Sequence, residues 1–283
     1  MSSVLITGAN GFLGRYISKD LVQRGFDVYS RRRTDGDVRE SATWEQFPGA
    51  NYLIHLAGTT FVPASWDSPT EFVHSNLIST SHALDYCRKH KTKMIFLSTY
   101  LYSATAKQPT KEEEEINPAN PYALSKLFGE KLCTFYVNHF DVEVVILRPF
   151  NVFGFGQDPR FLIPSIIFQA KVGDEIRVLD TRPSRDYIFV DDLVSAVVKS
   201  IDVNIKFGIF NIETGVATSV EELIGALGKV TGKTLKIISS EHGRFGEISS
   251  TQADISEAKN ILGWQPQWPL ISGLSEVWKS SFE

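Results

Sequence analysis

The chain has 283 residues, 42% of them hydrophobic and 22% charged, with a formal net charge of -4 at pH 7. Such a composition is that of a globular protein long enough for one large core and a smaller lobe, and it excludes an intrinsically disordered chain. A slightly acidic protein offers no basic field for nucleic acid, no run of about 18 apolar residues offers a membrane span, and Cys87 and Cys133, with no Cys-x-x-Cys pair, support neither a disulfide framework nor a cysteine zinc site.

The start, Met-Ser-Ser-Val-Leu-Ile-Thr-Gly, opens a strand and carries neither a basic segment nor an apolar signal core, so a cytoplasmic location is expected. Residues 4–7 form a short strand stopped by Gly8, and residues 12–24 then place Leu13, Ile17 and Leu21 at helical spacing before Gly25. Thr7-Gly-Ala-Asn-Gly-Phe-Leu-Gly14 sets Gly8, Gly11 and Gly14 where strand gives way to helix. Glycines there let the backbone approach a pyrophosphate, while amides at the helix start, at Phe12 and Leu13, point at its charge. The spacing Gly-x-x-Gly-x-x-Gly departs from the common Gly-x-Gly-x-x-Gly fingerprint, so the strand-turn-helix context carries the assignment to a dinucleotide.

A second strand at 27–30 runs into Arg31-Arg32-Arg33, where an NAD enzyme usually has an acid that accepts from the ribose 2′-hydroxyl. Arginine cannot accept that bond, yet it pairs well with a 2′-phosphate, so NADP(H) is expected over NAD(H). The other reading of this cluster is a solvated basic loop, partly neutralised by Asp35 and Asp37. Residues 52–56, 94–97 and 142–147 read as further strands, separated by helical stretches that include 75–89 and 122–139. Nearly continuous apolar strands alternating with helices predict an α/β fold, a Rossmann-type doubly wound parallel sheet. Beyond Gly154 the alternation loosens around Pro159, Pro164, Gly173 and Pro183, which predicts a smaller carboxy-terminal substrate-binding lobe. The run Lys111-Glu-Glu-Glu-Glu115 reads as a solvated loop or helix start and is assigned no function.

Asn-Pro-Tyr-Ala-Leu-Ser-Lys places Tyr122 and Lys126 one turn apart on a shared helix face, roughly 5–6 Å apart at Cβ. A positive charge beside a phenol favours the phenolate and suits the pair to proton shuttling during oxidation of a sugar alcohol. The same spacing is common on solvated helix faces, so the pair needs support from the rest of the chain.

With these residues in order, the chain resembles the extended short-chain dehydrogenase/reductases of the NAD(P)-dependent epimerase/dehydratase family, which act on nucleotide sugars. The resemblance covers nearly the whole chain. Gly8, Gly11 and Gly14 match the pyrophosphate loop, Asp37-Val38 the pair that holds adenine, His55-Leu56-Ala57-Gly58 the strand end lining the cofactor, and Asn76 the helix asparagine facing it. Ser98-Thr99-Tyr100-Leu101-Tyr102 resembles the Ser-Ser/Thr segment, and Tyr122 with Lys126 the Tyr-x-x-x-Lys pair. Arg148-Pro149-Phe150-Asn151-Val152-Phe153-Gly154 resembles the switch into the substrate lobe, implying cofactor contact at Pro149 and substrate contact at Asn151. Arg185-Asp186-Tyr187-Ile188-Phe189-Val190-Asp191-Asp192, Phe210-Asn211-Ile212 and Arg244-Phe245-Gly246-Glu247 extend the likeness, as do residues 253–258 and 262–266. In relatives, the arginines matching Arg185 and Arg244 contact the diphosphate. The implied organisation is an NADP-binding domain at 1–153, to which 186–213 returns, and a nucleotide-sugar-binding lobe at 154–185 and 214–283.

The resemblance also implies a mechanism. Tyr122 moves the proton of the sugar hydroxyl or carbonyl oxygen, Lys126 lowers its pKa and bonds the nicotinamide ribose, and Ser98 or Thr99 bonds the reacting oxygen, while nicotinamide carries the hydride. Spacing before Tyr102 favours Ser98, but the segment is one residue shorter than the commoner form and Thr99 stays open. Dehydratases of the family follow the catalytic threonine with an Asp-Glu pair; Tyr100 and Leu101 stand there instead, which disfavours elimination of water. Phe153 stands where tyrosine is common, removing a hydroxyl from a possible substrate contact. The implied activity is NADPH-dependent reduction of a 4-keto nucleotide sugar, with C4 epimerisation of a nucleotide hexose and a non-catalytic NADP-binding sensor or scaffold as competing readings. A homodimer through the Tyr-x-x-x-Lys helix is expected, with Leu127, Leu132, Phe135 and Tyr136 able to support it. The six histidines form no ligand grouping, so no metal is expected, and Trp264 and Trp268 are read as packing residues.

Overall fold

The structure, a computed structural model, describes residues 2–103, 105–240 and 248–281. β1 (Ser3–Thr7) leads through the glycine turn into α1 (Phe12–Gln23), followed by β2 (Asp27–Arg31), α2 (Ser41–Glu45) and β3 (Tyr52–His55). Next come α3 (Val62–Asp67), α4 (Pro69–Val73), a π-helical turn at His74–Ile78, α5 (Ser79–His90) and β4 (Lys93–Leu97). Then follow α6 (Pro121–Phe140), β5 (Val144–Pro149), β6 (Asn151–Phe153), α7 (Leu162–Val172), β7 (Glu175–Val178) and β8 (Ser184–Phe189). α8 (Val190–Asp202), β9 (Phe207–Ile212), β10 (Ala217–Ser219), α9 (Val220–Thr231), β11 (Lys236–Ser239) and α10 (Leu270–Ser280) complete the order.

Six strands form one sheet in the order β2-β1-β3-β4-β5-β9, and every pairing in it is parallel. Alternate side chains of one strand go to opposite faces, and both faces are covered. Ile6, Ile54, Ile95 and Leu147 enter the core shared with α1 and α8. Their neighbours Leu5, Leu53, Phe96 and Ile146 enter a second core with α5 and α6. That two-sided burial explains why these strands read as apolar runs and not as alternating ones. The strand order reverses between β1 and β3, and ligands of such sheets bind in the crevice outside the carboxyl ends at this switch.

β6 and β8, drawn from segments expected in the nucleotide-binding part, pair with each other, and β8 also pairs with β10, in a separate three-stranded sheet. α8 and β9 instead return to the main sheet, β9 against β5. β11 and β7 form a two-stranded sheet. The first core runs on through Phe153, Phe189, Ile166, Leu223 and Leu274, so the small sheets and α7, α9 and α10 share it. Trp264 is buried there, its indole N–H donating to the Asp192 carbonyl at 3.0 Å, and the Trp268 ring lies 4.6 Å from Phe189. Among the described residues, no helix is long and apolar enough to cross a membrane.

Candidate active site

At the end of β1, Gly8 takes φ +71, a left-handed conformation that a side chain disfavours. A Cβ there would also lie 2.9 Å from the Ala57 amide nitrogen. At Gly14 a Cβ would lie 2.4 Å from the Gly8 carbonyl oxygen and 2.6 Å from Ala9 Cα, backbone atoms that cannot swing aside. The Gly11 N–H donates to the Gly8 carbonyl at 2.9 Å and closes the turn. Gly11 is the N-cap of α1 and brings no side chain to cap it, and the first turn carries no acid. The amides that open α1, at Phe12, Leu13 and Gly14, therefore have no helical acceptor and suit an anion. This bare, close-set cradle fits the pyrophosphate of a dinucleotide.

At the end of β2, Arg31 is half-buried with its guanidinium 5.2 Å from the centre of the Phe47 ring, and Arg32 and Arg33 are exposed. The two nearby acids are engaged elsewhere. Asp35 accepts from the Arg32 N–H at 2.8 Å. Asp37 is gripped by Arg39 at 2.6 Å, which holds its carboxyl below the usual carboxylate range. The neighbouring Val38 carbonyl accepts from the Trp44 indole at 2.8 Å.

Past β3, Leu56 and Ala57 lie against the glycine turn, and the Ala57 N–H donates to Thr7 Oγ1 at 3.3 Å. His55 is buried between the Thr7 hydroxyl at 2.8 Å and the Ser79 hydroxyl at 3.3 Å. Burial, aided by the Lys126 charge, pulls its pKa down to about 3, so it is a neutral structural residue at ordinary pH. Asn76 sits in the π-helical turn, accepts from the Thr59 N–H at 2.9 Å, and donates to the Thr59 carbonyl at 3.1 Å and the Ser125 hydroxyl at 2.8 Å. A Cβ on Gly58 would lie 2.4 Å from Asn76 Oδ1. Ser125 in turn donates to the Tyr122 carbonyl at 2.7 Å. Asn76 thereby ties the loop after β3 to the first turn of α6.

α6 starts where its sequence demands. Asn120 accepts from the Ala123 N–H at 2.9 Å, and Pro121 occupies the first turn, where no N–H is needed. Tyr122 follows on that turn and Lys126 one turn later. The Thr99 side chain is near enough to the Tyr122 phenol to act on its ionisation. Ser98, favoured by spacing, is buried with its hydroxyl unpartnered, and Thr99 beside it is half-buried. Withdrawal from water raises the Tyr122 pKa, and the Thr99 side chain offsets only part of this. The Lys126 ammonium lies 4.1 Å from the centre of the Phe96 ring, and burial pulls its pKa down to about 8.

Beneath the carboxyl end of β5 is a buried network that motif reading missed. Arg148 makes a two-pronged pair with Glu130 at 2.6 and 2.9 Å, and also donates to the Tyr102 hydroxyl at 2.7 Å and the Glu112 carbonyl at 3.1 Å. Tyr102 donates to Asn211 Oδ1 at 2.6 Å, and the Glu112 carboxylate accepts from the Asn211 N–H at 2.7 Å. Glu112 is therefore a structural tie and not part of a wholly solvated run. The one available signal was Glu130, a carboxylate one turn beyond Lys126 on the same face of a largely apolar helix.

At the switch after β5, Pro149 ends the strand and the Asn151 side chain donates to the Asp186 carbonyl at 3.1 Å. The buried Glu213 carboxylate accepts from the Phe150 and Asn151 N–H groups. Arg185 lies on β8 and donates to the Ser184 carbonyl at 2.8 Å. Phe153 is a core residue with its ring 5.5 Å from Phe189. Arg244 lies outside the described residues. Of the residues expected at a dimer contact, only Phe135 is exposed; Leu132 and Tyr136 pack on the second core, and Leu124, Phe128 and Phe140 are the other apolar residues of α6 that face outward.

A glycine cradle, a buried lysine and a tyrosine-threonine pair at the carboxyl end of a parallel sheet suit dinucleotide-dependent proton and hydride transfer. The chain is similar to a UDP-glucose 4-epimerase of Mycolicibacterium smegmatis, with 28% identity over 96% of each chain. It is equally similar to a GDP-6-deoxy-D-mannose reductase of Pseudomonas aeruginosa, with 28% identity over 98% of this chain and 97% of the relative. Among solved structures, the UDP-glucose 4-epimerase of Thermotoga maritima with UDP-glucose superposes with a TM-score of 0.93 at 26% identity, covering 99% of this chain and 100% of that one. RMD from Pseudomonas aeruginosa, complexed with NADPH, superposes with a TM-score of 0.91 at 26% identity and the same coverage. The model of the NAD dependent epimerase/dehydratase family matches residues 4–212, most of the chain and all of the glycine turn, the Tyr-Lys helix and β9, and the chain belongs to that family.

Proposed function

We propose that this NAD(P)-dependent enzyme is an NADPH-dependent reductase of a 4-keto nucleotide sugar. The observation that carries the reading is the end of β2, where Arg31, Arg32 and Arg33 stand and both nearby acids are already engaged, Asp35 by the Arg32 N–H and Asp37 by Arg39. A 2′-phosphate finds guanidinium donors there, whereas the acids nearest a ribose diol already accept from the Arg32 N–H and from Arg39. Gly8, Gly11, Gly14, Asn76, Lys126 and Pro149 would hold the rest of the cofactor, and nicotinamide supplies the hydride when bound. Tyr122, with its pKa raised, is a neutral acid at ordinary pH and donates its proton to the sugar carbonyl oxygen. Thr99 bonds the same oxygen, and Asn151, Arg185 and Arg244 take the nucleotide-diphosphate end. In this reading the smaller sheets carry the sugar nucleotide and the six-stranded sheet the cofactor.

C4 epimerisation of a UDP-hexose is the second reading, favoured by the superposition on the UDP-glucose 4-epimerase of Thermotoga maritima. Following NADPH absorbance with 4-keto sugars on UDP, dTDP, GDP and CDP, beside the parent UDP-hexoses, separates the two. Epimerised product without NADPH consumption would sink the reductase reading. The outward Leu124, Phe128 and Phe135 on α6 support a homodimer, which sedimentation would report as twice the chain mass.

A further inference from the structure

Between the Thr99–Tyr122 pair and Arg185 lies a stretch of wall that the proposed chemistry leaves without a role. Tyr100 follows Thr99 in the chain and is half-buried. Its hydroxyl donates to the Ser103 carbonyl at 3.4 Å and is near enough to Gln108, Thr110 and Arg185 for these to act on its ionisation. Its ring meets Phe150 edge-on, at 4.8 Å and 85°, and Tyr102 at 5.3 Å and 73°. Phe150 is also half-buried and stands between Pro149 and Asn151. The phenol is thus anchored at its polar end while its ring forms a corner with a second aromatic side chain. In the nucleotide-sugar reading, with the reacting oxygen at Thr99 and Tyr122 and the diphosphate toward Arg185, Tyr100 is the chain neighbour of the first and close to the second.

We propose that Tyr100 and Phe150 form an aromatic wall that packs against the C–H face of the pyranose, making Tyr100 a specificity residue for the sugar half of a nucleoside-diphosphate sugar. The inference rests on the nucleotide-sugar reading given above. An aromatic ring already fixed by its neighbours offers large contact area with little ordering entropy to lose. The ring does the packing and the hydroxyl only anchors it, so phenylalanine is expected to substitute and alanine is not.

The test is calorimetric titration of the enzyme, with oxidised cofactor bound, using UDP-glucose against UDP and GDP-mannose against GDP. In the wild type, one sugar nucleotide binds more tightly than its bare diphosphate. Tyr100→Ala should erase that difference, weakening the sugar nucleotide at least tenfold while the bare diphosphate changes less than twofold. Tyr100→Phe should restore it. If Tyr100→Ala weakens both ligands alike, or neither, the wall does not exist. If Tyr100→Phe behaves as Tyr100→Ala, the hydroxyl and not the ring makes the contact and the proposal is overturned. A wild type that binds no sugar nucleotide better than its diphosphate overturns the nucleotide-sugar reading itself, and this inference with it.

Discussion

Replacing Gly14 by alanine tests whether the glycine turn is set by close approach. An added Cβ would lie 2.4 Å from the Gly8 carbonyl oxygen, whereas ordinary contact begins at 3.4 Å, so turn and helix must part by about 1.0 Å. Alanine inside a helix is worth about 1 kcal/mol over glycine, and forcing a group into a packed site costs about 1–3 kcal/mol, occasionally more. The clash is with backbone, which has no rotamer to change, so the penalty should take the upper part of that range and outweigh the propensity gain. A net loss of about 1–2 kcal/mol is expected by urea denaturation. The same displacement moves the amides that open α1, so NADPH affinity, followed by tryptophan fluorescence, should fall on the order of tenfold or more. Gly225 on α9 is the control, because its Cβ would meet nothing within 4 Å. There alanine should raise stability by up to about 1 kcal/mol and leave the cofactor alone. A Gly14→Ala variant that behaved like Gly225→Ala would refute the argument.

Thr99→Val should lower kcat by roughly 10²-fold, while Ser98→Ala should stay near wild type because the Ser98 hydroxyl is buried without a partner; the reverse order in steady-state assays would return the role to Ser98. Glu130→Ala leaves the Arg148 guanidinium buried and without its carboxylate, and should destabilise the fold by about 3–5 kcal/mol in denaturant; a loss below about 1 kcal/mol would show that the pair is not desolvated. His55 has its pKa pulled down to about 3, so the unfolded chain binds more protons below its ordinary value of 6.5. Its contribution to stability is present above that value and is lost as pH falls from 6.5 toward 3. His55→Leu should flatten the acid limb of a plot of urea midpoint against pH, and an unchanged limb would show that His55 is not the titrating group.

Much of the framework is a local property of the chain. Gly8 and Gly14 announce the turn because only glycine tolerates that φ and that approach, and the apolar runs at β1, β3, β4 and β5 announce a sheet covered on both faces. Asn120-Pro121 marks the start of α6, and with it the two turns that carry Tyr122 and Lys126. The remainder depends on partners distant in sequence. Tyr102 finds its acceptor on Asn211, 109 residues away, and Arg185 reaches the neighbourhood of Tyr100 only because β8 pairs away from the main sheet.

Nothing local marks Glu112 as a tie within an acidic run, or sends Phe153 to the core. The same holds for the choice between adjacent hydroxyls. Ser98 is buried and Thr99 half-buried, and which of the two serves the phenol depends on how α6 packs on the second core. By itself the sequence determined the parallel α/β framework, the cradle for a dinucleotide and the presence of a Tyr-Lys pair, because glycine sterics and side-chain period act within a few residues. The tertiary structure alone decided that the Ser98 hydroxyl is buried without a partner, that Lys126 rests on Phe96 and that Glu130 is spent on Arg148, because burial, which sets both contacts and charge states, is a property of the assembled core.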